Sequence, residues 1–305
     1  MKVLVTGARG LIGRGLIEDL GRRGEIEVTA TSRGPVYAED QVRWVQSDLT
    51  RLEECLQLVE GQDAIVHLAQ PAVPLTSDGD LASEVHSNLV PALNLIAAIR
   101  IIGSCPRFVF PSSGGAVYGR GQERPFREDD RCEPANSYGL LKLTVEHYLR
   151  LASEHAQLSV VNLRIANAYG IPLPPDRMQG LIGTAVSRVR EGLPVRIIGS
   201  PDNVRDYVHI NDIGDAVHRA LFLDTACSTF NIGDGLGVSV REVIDLIEAV
   251  WGEPIERVSE PHPNAVWLPS RNVLDITHAR ERLGWSPQVA LTEGIRRMLF
   301  DLPRA

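Results

Sequence analysis

Through the first half of the chain, short apolar and β-branched runs alternate with longer segments whose apolar residues recur every three or four positions. KVLVT (Lys2–Thr6), IEVTAT, VRWVQS, DAIVHLA, RFVFPSS and LSVVNLRIAN have the length and composition of strands. Residues 11–24, 51–60, 81–102 and 137–154 carry helical periodicity, and Pro91 is expected to kink or divide the third of these helices. The strands are continuously apolar rather than alternating, the pattern of a parallel sheet covered on both faces. Strands separated by helices thus predict an α/β fold with a doubly wound parallel sheet. The alternation breaks at YGIPLPPDRMQG, which holds three prolines and two glycines. Shorter strands follow (VRIIG, RDYVHI, TFNIG), with helices at 211–223, 238–250 and 292–302. The expected division is a first domain at 1–168 and a smaller α/β lobe at 169–305, with a segment near 205–233 returning to the first domain.

Composition narrows the function classes without choosing among them. Hydrophobic residues make up 44% and charged residues 23%, as in ordinary globular proteins. No run approaches the roughly eighteen uninterrupted apolar residues of a membrane span, and the chain enters a strand pattern at once, so a cytoplasmic protein with no membrane partner is expected. A formal charge of -8 argues against a nucleic-acid partner. Cys55, Cys105, Cys132 and Cys227 are too scattered for a disulfide framework, and the eight histidines show no ligand spacing, so no metal is expected.

Chemistry enters at TGARGLIG, residues 6–13. Gly7, Gly10 and Gly13 permit a tight turn, a close approach to a pyrophosphate and close helix packing, while the following helix offers its N-terminus to the anion. Arg9, Leu11 and Ile12 complete this loop, and the domain reads as a Rossmann-type dinucleotide-binding unit. An acid about twenty residues on would accept hydrogen bonds from the adenosine ribose. The chain has Thr31, Ser32 and Arg33 there, which favours NADP(H) over NAD, although Arg33 also suits a solvated surface. In QSDLT, Asp48 beside Leu49 either accepts from the adenine amino group or caps the next helix.

Lysine is scarce: of 31 Lys plus Arg, only Lys2 and Lys142 are lysines. Lys142 stands four residues after Tyr138, so the two share one helix face. A free phenol titrates at about 10, too high for a base at neutral pH, and a nearby ammonium favours its ionised form. Such a pair suits hydride transfer between an alcohol and a nicotinamide, which needs an acid–base group at the carbonyl oxygen.

At this point the chain resembles the extended short-chain dehydrogenase/reductases that act on nucleotide sugars, most of all their UDP-glucose 4-epimerase-like branch. TGARGLIG, VHLA (66–69), SSGGAVYG (112–119), SYGLLK, LRIANAYG (163–170), VRDYVHINDI (204–213), FNIGDGLGVSV and LDITHARERLGWSP carry the resemblance across almost the whole chain. It implies that Tyr138 is the acid–base group, that Lys142 lowers its pKa and holds the nicotinamide ribose, and that Leu68, Ala69 and Asn88 line the cofactor. Counted from FVF, Ser113 falls at the catalytic serine; counted back from Tyr118, Gly114 does, and Ser112 is the fallback, assigned to substrate. Asn167 resembles the asparagine at the sugar diphosphate and Arg205 an arginine that grips phosphate, with Arg271 a second candidate clamp. Asp206 and His209 are taken as structural.

The family's dehydratases carry an acidic pair where this chain reads GGA, which disfavours dehydration. An epimerase keeps a tightly held NAD and implies an acid at the ribose. TSRG instead favours an NADPH-dependent 4-ketoreductase of a nucleoside-diphosphate sugar, as in deoxysugar biosynthesis. The 4-epimerase is the alternative, and a non-catalytic NADP(H)-binding protein a third. The family also implies a homodimer formed through two helices of the first domain.

Overall fold

Val3, Leu4 and Val5 are all fully buried, which a strand achieves only with both faces covered. The computed structural model describes residues 1–36, 42–71, 79–155, 158–262 and 268–302. In order, the first part of the chain forms β1 (Lys2–Thr6), α1 (Leu11–Arg22), β2 (Glu27–Ser32), β3 (Val42–Gln46), α2 (Leu52–Val59), β4 (Ala64–His67), α3 (Leu81–Asn88), α4 (Val90–Ile102), β5 (Arg107–Ser113), α5 (Ser137–Glu154) and β6 (Ser159–Ile165). The second part forms β7 (Asn167–Tyr169), α6 (Leu181–Arg190), β8 (Val195–Ile198), β9 (Val204–Arg205), β10 (Tyr207–His209), α7 (Ile210–Phe222), β11 (Cys227–Ile232), β12 (Val238–Ser239), α8 (Val240–Trp251), β13 (Arg257–Glu260), β14 (Arg271–Asn272) and α9 (Leu291–Phe300).

Seven strands make one parallel sheet in the order β11-β6-β5-β4-β1-β2-β3. The strand period of two divides its faces. Val3 and Val5 pack with Leu16, Leu20, Ile213 and Val217 of α1 and α7. Leu4 packs instead with Leu58, Leu95, Ile99, Val145 and Leu149 of α2, α4 and α5. Helices on both faces of a parallel sheet confirm the doubly wound α/β fold. A third core, built on Ile182, Val186, Val243, Ile247, Ile295 and Met298, holds α6, α8 and α9 together.

The predicted helix over 81–102 divides at Leu89, and Pro91 takes the start of α4, where its missing N–H costs nothing. The segment Leu81–Ile102 is long and apolar enough by composition to cross a membrane, with mean hydropathy 1.5. That apolarity has a local use, since Pro91, Ala92, Leu95, Ile96, Ala98 and Ile99 are buried along α4.

The second lobe holds surprises for the pattern reading. Helix α6 was not expected, because it follows the proline-rich stretch and has Gly183 inside it, yet Ile182, Ala185, Val186 and Val189 recur at helical spacing and are buried. Its small strands pair at long range: β7 with β10, β8 with β13, and β9 between β12 and β14. The strand β11 joins β6 and completes the large sheet, while α7 packs on α1.

Candidate active site

The end of β1 turns sharply through Gly7, whose φ is 67°. A Cβ there would lie 2.6 Å from the Ala69 nitrogen and the Leu68 carbonyl carbon, so only glycine lets the loop run against the end of β4. Thr6 reinforces the junction: its Oγ1 is 2.8 Å from His67 Nδ1 and accepts from the Ala69 N–H at 3.3 Å. A Cβ on Gly13 would fall 2.6 Å from the Ala8 carbonyl oxygen, so α1 packs tight on the loop. Gly10 stands at the helix N-cap with no capping side chain, and Leu11 and Ile12 open the first turn, where backbone N–H groups and the helix dipole favour an anion. The loop therefore fits a dinucleotide pyrophosphate.

Toward the end of β2, Ser32 Oγ accepts from the Gly34 N–H at 3.2 Å and Arg33 lies exposed. Arg9 reaches the same place, with its guanidinium 5.4 Å from the Trp44 ring centroid and bonded to the Pro35 carbonyl. No carboxylate stands among Thr31, Ser32 and Arg33. Asp48 does not cap α2. Its Oδ1 accepts from the Thr50 N–H at 3.0 Å and hydroxyl at 2.8 Å, closing a turn before α2, whose N-cap is Arg51. Those bonds hold its pKa below the usual carboxylate value, with Arg33 and Arg51 assisting. Leu49 beside it is buried in the core. Asn88 is also buried, donating to the Glu84 carbonyl at 2.8 Å, and its own carbonyl accepts from Gln70 just past Ala69.

Across the sheet, α5 begins at Asn136, whose Oδ1 accepts from the Gly139 N–H at 2.9 Å. Its next turns present Tyr138 and Lys142 to the end of β5. The Ser113 hydroxyl hydrogen-bonds the Tyr138 phenol. Lys142 is buried, donates from Nζ to the Pro111 carbonyl at 2.7 Å, and sits 4.9 Å from the Phe110 ring and 5.8 Å from the Tyr138 ring. Burial pushes the phenol above its ordinary value against the opposing Ser113 bond. Burial also brings Lys142 down to about 7, with Glu146 opposing. This departs from the expected lowering of the phenol by the ammonium: the lysine is bonded to a neutral carbonyl, and desolvation acts on both groups.

Ser113, not Ser112, is the serine at the tyrosine. Ser112 is buried and donates to the Glu146 carboxylate, so its assignment to substrate is corrected. Strand geometry gives the reason, since adjacent residues point to opposite faces.

In the second lobe, Asn167 donates from its side chain to the Asp206 carbonyl at 2.9 Å. Arg205 donates to the Val204 carbonyl at 2.8 Å, and burial lowers its pKa. Arg271 does not join it. In the parallel pairing of β9 and β14, Arg271 is level with Val204 while Asn272 is level with Arg205, so the two arginines project to opposite faces. Arg271 Nε donates to the Glu123 carbonyl at 3.1 Å. Asp206 and His209 are structural, as expected. The Asp206 carboxylate accepts from the backbone of Asp234, Gly235 and Leu274, and His209 Nδ1 caps α7 through the Asn211 N–H at 3.2 Å.

Two features escaped the sequence reading. Asn272 is fully buried and donates to the Gly114 carbonyl at 3.2 Å, while a Cβ on Gly114 would lie 2.6 Å from Leu274 Cδ1, so the segment 271–276 closes over the end of β5. The other is a buried ion pair, Arg164 Nη2 to Glu146 Oε2 at 2.8 Å. An arginine inside the apolar run of β6 was its one visible sign.

A model of the NAD dependent epimerase/dehydratase family matches residues 3–233. The chain is similar to dTDP-4-dehydro-6-deoxyglucose reductase of Escherichia coli, at 31% identity over 98% of this chain and 97% of that protein. It is similar as well to UDP-glucose 4-epimerase of Mycolicibacterium smegmatis, at 33% identity over 97% and 96%. Among solved structures, UDP-glucose 4-epimerase of Thermotoga maritima with UDP-glucose superposes with a TM-score of 0.90 at 29% identity, covering 98% of this chain and 97% of that one. The Thermus thermophilus UDP-glucose 4-epimerase complex with NAD gives 0.89 at 31% identity, covering 98% of each chain.

Proposed function

The chain belongs to the NAD dependent epimerase/dehydratase family, and on that premise we propose that it is a nucleotide-sugar enzyme acting at C4 of the hexose, reducing a 4-keto-6-deoxy sugar nucleotide with NADPH. The observation that carries the chemistry is the Ser113 hydroxyl bonded to the Tyr138 phenol with Lys142 beside it. Tyr138 delivers the proton to the carbonyl oxygen, Ser113 shares that hydrogen bond, and Lys142 stabilises the phenolate that results. The nicotinamide supplies the hydride. Gly7, Gly10, Gly13 and the start of α1 receive the pyrophosphate, and Arg205 with Asn167 meets the diphosphate of the sugar nucleotide.

The preference for NADPH rests on Arg9 and Arg33 at the end of β2, where no carboxylate opposes a 2'-phosphate. The E. coli reductase among the relatives supports reduction as the reaction. A second reading, 4-epimerisation with resident NAD, is favoured by the similar UDP-glucose 4-epimerases, one of them solved with NAD. Denaturing the purified protein and identifying any released dinucleotide separates them. An empty site that then prefers NADPH to NADH, with turnover of a 4-keto-6-deoxy sugar nucleotide, is the expected outcome. Stoichiometric NAD carried through purification transfers the assignment to the epimerase.

A homodimer forms through α3, α4 and α5 in the same proposal. Leu81, Val85 and Ile101 on the first two helices, with Leu140, Tyr148 and Leu151 on α5, leave large apolar side chains exposed at spacings that fall along helix faces. The double variant Tyr148→Glu/Leu151→Glu is expected to sediment as a monomer where the parent sediments as a dimer.

A further inference from the structure

Three consecutive residues at the end of β5 engage three residues of α5 spaced one turn apart. Ser113 bonds Tyr138, the Pro111 carbonyl accepts from Lys142, and Ser112 donates to Glu146. The first two rungs hold the acid–base pair, and the third holds a carboxylate that the proposed reaction does not use.

We propose that Glu146, held in place by Arg164 and Ser112, is a positioning residue that keeps Lys142 charged and thereby sets the acidity of Tyr138. This rests on the reading of Tyr138 and Lys142 as the acid–base pair. A buried ammonium whose one hydrogen bond goes to a neutral carbonyl is poorly held in its charged form. An anion one helical turn away, about 6 Å between Cβ atoms, restores part of the lost stabilisation. Here the lysine is 7% exposed and Glu146 5% exposed, so little water screens the pair.

The carboxylate is fixed in place by three donors. Arg164 offers a fork, Nε at 3.2 Å and Nη2 at 2.8 Å from Oε2, and the Ser112 hydroxyl donates to Oε1. The arginine is anchored in turn by Tyr118 Oη at 3.0 Å and the Glu128 carbonyl at 3.2 Å. Tyr118 donates to Asn231 of β11 at 2.7 Å. A buried ion pair of zero net charge is weak evidence for stability alone, but placed behind a catalytic lysine it supplies a fixed field. Among the described residues, the other titratable groups around these two are His67 from β4, whose protonation the ammonium opposes, Tyr138 on α5, and Cys132 and Cys227 on the Glu146 side.

The rarity of lysine makes a direct test possible. Only Lys2 and Lys142 are present, so protein grown on isotope-labelled lysine gives two Cε–H signals, and the NMR titration of Lys142 is read without any turnover. In Glu146→Gln the Lys142 midpoint is expected to fall by about one pH unit or more while Lys2 stays in place. Glu146→Asp, which keeps the charge, restores most of the shift. Where a competent sugar nucleotide is in hand, the limb of the kcat profile belonging to Tyr138 moves upward in Glu146→Gln. An unmoved Lys142 midpoint in folded Glu146→Gln overturns the proposal. If that variant does not fold, Glu146→Met removes the carboxylate alone with a side chain of similar length, and an unmoved midpoint there overturns it equally. Failure of the acid–base reading shows separately, as undiminished turnover in Tyr138→Phe.

Discussion

At one end of the cleft Lys142 is buried, bonded to Pro111 and flanked by Phe110, His67 and Glu146, with Tyr138 tied to Ser113. At the other, Arg33 lies in solvent and Arg9 lies flat on Trp44. Both regions carry cations, yet only the first removes them from water. A desolvated charge changes its own pKa and that of its neighbours, whereas an exposed charge adds affinity for an anion and is screened by salt. Chemistry and cofactor choice are therefore separable, and substitutions at the two ends are expected to differ in kind as well as in size.

Tyr138→Phe should cause the largest change, a loss of kcat of about a thousandfold, with NADPH affinity measured by fluorescence titration almost unaltered. A comparable loss of affinity would show that the two ends are not separable. Next comes an acid limit on the buried end. Burial holds His67 well below the ordinary 6.5, at about 3, with Lys142 assisting. Because its folded pKa is depressed, the unfolded chain binds the extra proton first. The stability that neutral His67 contributes is thus complete above pH 6.5 and is lost as pH falls toward 3. About 2 kcal/mol should disappear over the first two units of that fall. Thermal melts of His67→Gln, which has nothing to titrate there, should show a shallower acid slope; an identical slope would place the titrating group elsewhere.

Effects at the exposed end are smaller. Arg33→Ala is expected to weaken NADPH about tenfold and NADH hardly at all, and the NADPH loss should shrink in high salt. Equal losses for both dinucleotides would remove the 2'-phosphate assignment. Smallest is Trp44→Leu, which takes away the surface on which Arg9 rests. A cation–π contact at an exposed site is worth about 0.5–1 kcal/mol, so a reduction of two- to fivefold in NADPH affinity is expected, read by the same titration.

How legible each end was follows from how local its interactions are. The strand RFVFPSS and the helix at 137–154 were read with the limits the structure gives them, because a buried parallel strand shows as an apolar run and a capped helix as a period. Tyr138 and Lys142 were legible for the same reason, sharing a face four residues apart. Ser112 was misassigned because its partner, Glu146, is 34 residues away. The side to which Arg271 points was not legible, because only the pairing of β14 with β9 reveals it. Strands of two residues carry no periodicity, so β9, β12 and β14 are products of tertiary contact and not of local pattern. The Glu146–Arg164 pair lies between these cases: the arginine was conspicuous in an apolar strand, but its partner was not.

The return of β11 to the large sheet bears on how such proteins can be recombined. The chain leaves that sheet after β6, comes back at β11 and leaves again, and Asn231 on the returning strand holds Tyr118, which holds Arg164 behind Glu146. The second lobe is consequently not a cartridge to be exchanged at one junction. A chimera that imports a relative's second lobe also imports the strand that anchors the ion pair one turn from Lys142. Grafts that keep β11 from the recipient should preserve the acid–base pair while changing the sugar. A single cut after β6 should trade both at once.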